Sequence, residues 1–104
     1  MDYLLMYDYS AEYLARRGAF RDEHLALAWA AHAKGLLILA GAFAHPADGA
    51  VFHFRSDAPT AVEAFVAADP YVQNGLVTRW HIREWITAIG DAAATPVHPP
   101  SGRT

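Results

Sequence analysis

Two short apolar runs constrain the fold of this chain most strongly, because each is apolar on both faces of an extended strand. Residues 3–7 read Tyr-Leu-Leu-Met-Tyr, and residues 36–40 read Leu-Leu-Ile-Leu-Ala. A strand with one face in water alternates apolar and polar residues, so both runs need cover on both sides. Only 18% of the 104 residues are charged, below the roughly 25% typical of soluble domains. We therefore expect a second chain to supply part of the cover.

Two helical patterns alternate with four strand patterns along the chain. Residues 21–34 predict the clearest helix, because acidic residues occupy its first turn and Gly35 follows as a stop signal. Thr60 opens a second helix with capping-box spacing to Glu63, and Pro70 ends it. Strands are predicted at residues 3–7, 36–40, 51–55 and 76–86. The order β-α-β-β-α-β is that of an α+β, ferredoxin-like fold, whose helices cover one sheet face. The other sheet face is left without helices, so we expect a homodimer in which a second copy covers it.

The chain is predicted to form one domain followed by a tail. Residues 1–89 carry the strand and helix patterns, and residues 90–104 are rich in Ala, Pro, Ser and Gly, which predicts a flexible C-terminal tail. No stretch of about 18 apolar residues is present, so no membrane span is expected. The start lacks the pattern of a signal peptide, which favours a cytoplasmic location.

Composition and spacing argue against several function classes. The net charge of −3 and the absence of a basic run give no footprint for nucleic acid. Cysteine is absent, which excludes disulfides and thiolate chemistry. No glycine-rich phosphate loop or His-Glu-x-x-His zinc motif is present. His24 and His32 stand eight residues apart, about 12 Å along a helix, too far to share a metal directly. We expect no cofactor and no metal.

Three sets of polar residues are candidates for chemistry. His24 lies in the first helical turn, where the dipole disfavours an imidazolium and a neutral imidazole can act as a base; spacing alone favours a solvated residue. Asp69 precedes Pro70 at the end of the second helix, a position unfavourable for a carboxylate, or it belongs to an Asp-Pro turn. Arg79 and His81 share one face of the last strand, as a pocket lining or as a dimer or sheet contact.

Two motifs resemble the YciI-like (YCII-related) family. They are the Arg-x-x-His-Leu stretch that starts at Arg21 and the Asp-Pro-Tyr stretch from Asp69 to Tyr71, and the resemblance runs over roughly residues 1–87. It implies a dimeric α+β barrel of ferredoxin-like protomers. It also implies an active site centred on His24 and Asp69, with Arg21, Gly41 and Tyr71 as pocket residues.

The resemblance also suggests a reaction, since some branches of the family are linked to dehydrochlorination of chlorinated hydroxyquinols. The hypothesis is a small cofactor-free enzyme of lyase or isomerase type. His24 removes a proton from a small cyclic or aromatic-derived compound, and Asp69 fixes the tautomer of His24. The alternative is a non-catalytic dimer that binds a small ligand. The expected substrate-binding residues are Arg21, Gly41, Tyr71, Arg79 and His81, and Arg21 or Arg79 would hold the developing oxyanion.

Overall fold

A computed structural model describes residues 1–100 of the chain, which form a four-stranded antiparallel sheet with helices on one face. The elements in chain order are β1 (Asp2–Tyr9), α1 (Tyr13–Arg16), a 3-10 turn (Arg17–Ala19), α2 (Arg21–Ala33), β2 (Leu37–Ala42), β3 (Gly49–Arg55), α3 (Thr60–Ala68), α4 (Pro70–Gln73) and β4 (Val77–Glu84). The strands lie in the order β2-β3-β1-β4. This arrangement confirms the predicted ferredoxin-like α+β fold, with α1 and α4 as additional short helices.

The central strand β1 separates a helix-covered face from an open face. Leu5 is fully buried on the helix side and pairs with Phe52 of β3 and Ile82 of β4. Leu4 and Met6 point to the opposite side and are only half-buried. We call the side that carries Leu4 and Met6 the open face. Both faces of β1 are apolar, as predicted, and the described chain covers one of them with helices.

Helix α2 is positioned by interactions at its C-terminal end. Gly35 has a φ of +77°, a left-handed conformation that glycine adopts without the steric cost of a Cβ, so the predicted stop signal is confirmed. His32 bonds through Nδ1 to the carbonyl oxygen of Leu37 at 2.7 Å. This bond ties the last turn of α2 to the first residue of β2.

Two expected roles at the ends of the later helices were wrong. Helix α3 does begin at Thr60, but its N-cap residue is Pro59 and no side chain caps the helix. The capping box with Glu63 is therefore not formed. Pro70 does not merely end α3, because it is the first residue of α4. Proline suits that position, since the first amide of a helix has no intrahelical acceptor.

Strand β2 lacks, within the described chain, part of the cover that its sequence predicts. It lies at the edge of the sheet, where Leu37 is buried but Leu39 is 73% exposed. The described chain therefore does not cover both sides of this strand. The register of β2 against β3 is irregular between Leu37 and Leu39. Gly41 pairs with Val51, and an added Cβ at Gly41 would meet no atom within 4 Å.

The segment after β4 begins beside the start of β1 and then folds back on itself. The amide of Trp85 donates to the carbonyl of Asp2, and the amide of Val97 donates to the carbonyl of Ala88. The predicted tail, residues 90–104, is described only to residue 100, so residues 101–104 lie outside the described residues. Among the described residues, no helix has both the length and the apolar character needed to cross a membrane.

Candidate functional site

Asp69 stands at the junction of α3 and α4, and its side chain is fully buried. It is the N-cap residue of α4, and its Oδ1 accepts a hydrogen bond from the amide of Tyr71 at 3.0 Å. A carboxylate is favourable at a helix N-terminus, where amide groups have no intrahelical partner. The sequence argument that Asp69 occupies an unfavourable helix end is therefore wrong, because the chain starts a new helix there.

Two side chains complete the shell of donors around Asp69. His24 bonds through Nδ1 to Oδ1 at 2.9 Å, and the hydroxyl of Tyr7 donates to Oδ2 at 2.7 Å. Burial, with the charge of Asp69 beside it, raises the pKa of Tyr7 far above its usual range, so this hydroxyl keeps its proton. Residues 7, 24 and 69 come from β1, α2 and the α3–α4 junction. The fold thus brings the predicted His–Asp pair within hydrogen-bond distance.

The imidazole of His24 is held in a fixed orientation. Its ring stacks on Tyr71 with a centroid distance of 4.0 Å and an angle of 9°, and the ring of Phe52 meets it edge-on at 6.3 Å. A carboxylate only accepts, so Nδ1 is the donor to Asp69 and Nε2 is left as the acceptor. Nε2 bonds to no group of residues 1–100, and it is not sealed from solvent. His24 therefore presents a lone pair to the adjoining cleft.

A cleft of about 490 Å³ lies between α2 and the strands β2 and β3. This volume is in the range of small-molecule sites. Its lining is mostly apolar and aromatic, and it includes His24 and the three predicted pocket residues Arg21, Gly41 and Tyr71. The other lining residues include Tyr9, Tyr13, Arg17, Leu25, Ala28, Trp29, His32, Phe52 and residues 37–40. The cleft thus combines a mostly apolar and aromatic lining with a few polar groups.

Arg79 and His81 do not reach this cleft. Arg79 pairs with Asp8 and His81 pairs with Met6, so both side chains lie on the open face. Paired residues in antiparallel strands share a face, and Met6 points away from the helices. The two residues do share one face of β4, as predicted. The structure nevertheless separates them from His24 by the thickness of the sheet.

Several cleft residues were missed from the sequence. Tyr9 and Tyr13 stack on each other with a centroid distance of 3.7 Å, and both line the cleft with Arg17. The strand prediction stopped at Tyr7, two residues too early to include Tyr9. The signal was present, because the odd-numbered residues of β1 carry tyrosines toward one face.

No group of three or more His, Cys, Asp or Glu side chains is gathered for a metal ion within residues 1–100.

Asp2 forms a second buried carboxylate–histidine pair, on the open face. Its Oδ1 accepts from His53 Nε2 at 2.8 Å and from Arg55 Nε at 2.8 Å, and its Oδ2 accepts from Thr87 at 2.7 Å. This cluster lines no part of the cleft.

Comparisons with known proteins agree with the fold described above. The family profile of the YCII-related domain matches residues 1–86. A similar solved structure is 5-chloro-2-hydroxyhydroquinone dehydrochlorinase from Burkholderia phenoliruptrix AC1100, in complex with 2,5-dihydroxybenzoquinone. The TM-score is 0.73 at 19% identity, over 85% of this chain and 96% of that chain. No curated protein sequence matches the chain significantly.

Proposed function

Since the chain belongs to the YCII-related domain family, we propose that it is a small enzyme of lyase type that works by proton abstraction at His24. One observation carries the proposal. A buried histidine is bonded to a buried carboxylate through Nδ1, and its other nitrogen is open to a cleft. That arrangement is what a general base needs: a fixed tautomer and a free lone pair next to a ligand site.

Asp69 acts as the positioning residue in this proposal. It accepts a hydrogen bond from the Nδ1–H group of His24, and it stabilises the imidazolium that forms when Nε2 takes a proton from the substrate. Tyr7 and the amide of Tyr71 hold the carboxylate in place. Tyr71 also stacks on the imidazole and limits its rotation. The side chain of Arg21 lines the same cleft and can hold the oxyanion that develops on the substrate.

The substrate class that we propose is a small hydroxylated ring. The similar structure is a dehydrochlorinase of 5-chloro-2-hydroxyhydroquinone, and it binds a quinone. The cleft has aromatic walls suited to a flat ring, and residues 17 and 21 add cations. His24 takes the proton of a ring hydroxyl and passes it to the ring carbon that bears chlorine, so that this hydroxyl becomes a ketone. A second hydroxyl then loses its proton to solvent, and chloride leaves with the electrons of the carbon–chlorine bond. The net loss is one HCl, which needs neither oxidant nor reductant.

The first experiment incubates the protein with 5-chloro-2-hydroxyhydroquinone and measures chloride release against buffer. We expect the protein to accelerate the release and His24→Gln to lose about 10²–10⁴-fold of that rate, the usual contribution of a general base. His98→Gln is the matched control, because His98 is exposed and lies outside the cleft. A set of small lactones covers isomerase chemistry in the same way.

The alternative function is a non-catalytic dimer that binds a small ligand in the same cleft. Its support is the cleft itself, which offers apolar walls and polar groups to any ligand of suitable size. Binding that persists in His24→Gln, with no acceleration over buffer for any substrate of the panel, would favour this function over the lyase.

We further propose that two copies pack through their open faces. Leu4, Met6 and Val51 form a half-buried apolar centre on that face, and Leu39 projects from the edge strand at 73% exposure. A second sheet would cover these side chains, as a dimeric α+β barrel requires. Light scattering during gel filtration measures the mass directly, and a stable monomer at micromolar concentration would contradict the proposal. A cytoplasmic location also stays a prediction.

A further inference from the structure

Two arginines line the cleft without an acidic partner. Arg17 is half-buried and Arg21 is exposed, and neither lies within ion-pair distance of a carboxylate among residues 1–100. Arg16, next to Arg17, pairs with Glu12 and lies outside the cleft. The guanidinium of Arg17 lies over the ring of Tyr13, 5.6 Å from its centroid. The two unpaired cations thus belong to the cleft and not to a surface ion-pair network.

The rest of the cleft does not neutralise this positive charge. No Asp or Glu is among its lining residues, although the whole chain carries a net charge of −3. Asp69 lies behind His24, has no exposed surface, and has its oxygens occupied by three donors. A concave site with one sign of charge concentrates ligands of the opposite sign.

Three tyrosines, Tyr9, Tyr13 and Tyr71, line the cleft together with the two arginines. Burial, with Tyr13 beside it, raises the pKa of Tyr71 to about 12, although Arg21 and Arg17 act in the opposite direction. Arg17, Arg21 and Tyr71 all line the cleft, and the hydroxyl of Tyr71 remains a donor at neutral pH. Tyr9 stacks on Tyr13 and supplies a third phenol to the same region.

We propose that Arg17 and Arg21 bind a ligand that is already an anion before the reaction starts, namely a planar ring with an ionised oxygen. This inference deepens the proposed function, since it concerns the same cleft. It goes beyond a cation that stabilises only the developing charge, because two arginines without partners favour the ionised form in the ground state. Arginine suits this role, since its fork of donors matches an oxyanion and its plane stacks on aromatic rings.

The test uses a ring whose ionised form has its own colour. Para-nitrophenol titrates near neutral pH, and para-nitroanisole is its neutral analogue of nearly the same shape. We expect the protein to bind the phenolate at least about tenfold more tightly than the anisole, and to shift the titration of the bound nitrophenol to lower pH. Added salt weakens the binding, because the attraction is electrostatic. Equal binding of the two probes would overturn the inference.

Variants locate the effect. Arg17→Gln with Arg21→Gln should remove the preference for phenolate, whereas Arg83→Gln should keep it, because Arg83 lies on the open face opposite Leu4. If the double variant does not fold, Arg21→Gln alone carries the test, since its side chain is exposed. A phenolate preference that survives in the folded variants contradicts the inference.

The outcome can be separated from the fate of the proposed function. The probe measures binding and not turnover, and His24→Gln keeps both arginines. If the preference for phenolate is present but no substrate is turned over, the inference stands and the lyase proposal fails. If substrate is turned over but the neutral probe binds equally well, the lyase proposal stands and the inference fails.

Discussion

Two buried carboxylates in this protein each bond to a histidine, and their surroundings differ. Asp69 lies in the helix layer and is bonded by His24, the hydroxyl of Tyr7 and a backbone amide. Asp2 lies on the open face and is bonded by His53, the hydroxyl of Thr87 and the guanidinium of Arg55. Asp2 therefore has a permanent cation as partner, whereas Asp69 has a histidine that borders a cleft.

The comparison separates a structural carboxylate from one available for catalysis. Arg55 compensates the charge of Asp2, and its hydrogen bonds help to hold the segment after β4, since Arg55 also donates to the carbonyl of Ala92. In the other pair only a proton on His24 can compensate the charge of Asp69. A proton that arrives at Nε2 from a ligand is thereby stabilised. An aspartate–histidine pair thus has a structural role at Asp2 and can support proton transfer at Asp69, because the neighbours of the two pairs differ.

The largest expected effect is the loss of turnover in the Asp69→Asn variant. The amide keeps the size of the side chain but cannot hold the Nδ1–H tautomer of His24 as a carboxylate does, so we expect a loss of about 10²–10⁴-fold in kcat on the substrate proposed above. His53→Gln, in the other pair, is the matched control and should leave kcat within about twofold of the wild type. Equal losses in the two variants would erase the functional difference between the pairs.

The next largest effect is on stability, and it concerns Asp2. Asp2→Ala leaves Arg55, His53 and Thr87 without their common acceptor, so the free energy of unfolding should fall by about 3 kcal/mol. Urea unfolding measures it. Asp57→Ala, at an exposed loop position, should change the same quantity by less than about 0.5 kcal/mol. An Asp2→Ala protein as stable as Asp57→Ala would mean that the cluster does not stabilise the fold.

The smallest effect is a pH dependence that belongs to Asp2. Burial acts to raise the pKa of Asp2, but hydrogen bonds from Arg55, Thr87 and His53 outweigh it and hold this pKa well below its ordinary value of 3.8. The folded state therefore binds the proton more weakly than the unfolded state. The stabilisation is complete above about pH 5 and is lost as pH falls through and below the ordinary value.

Unfolding measured between neutral and acidic pH tests this dependence. The free energy of unfolding of the wild type should fall by up to about 1.4 kcal/mol per pH unit from this one group. Asp2→Asn should remove that part of the slope, because the amide does not titrate. An unchanged slope in Asp2→Asn would show that other carboxylates cause the acid sensitivity.

The sequence predicted the order of strands and helices because periodic apolar patterns and end signals are local. Gly35 is one such signal, and its positive φ ends α2 close to the expected residue. The pairing of His24 with Asp69, 45 residues away, rested on the family resemblance, because spacing alone says nothing about contacts between α2 and the α3–α4 junction. The role of Asp69 as a helix N-cap was missed, because α4 was not predicted.

Other parts of the site needed the register of the sheet. Alternation placed Arg79 and His81 together, but only the pairing with β1 shows that they lie on the open face. Asp2 lies just outside the strand predicted at residues 3–7, and its hydrogen-bond cluster was missed because its donors come from β3 and from residue 87, which are distant in sequence. Arg17 was missed because its 3-10 turn follows α1, a helix of four residues that is too short to give a periodic apolar pattern.

The most direct test of the comparison is the tautomer of each histidine, read from the nitrogen-15 shifts of the imidazole rings. In their neutral forms the two rings should carry the proton on opposite nitrogens. His24 should carry its proton on Nδ1 and His53 on Nε2, because these are the nitrogens that face Asp69 and Asp2. A proton on Nε2 of His24 would contradict the account, since the nitrogen that faces the cleft would then have no lone pair to act as a base.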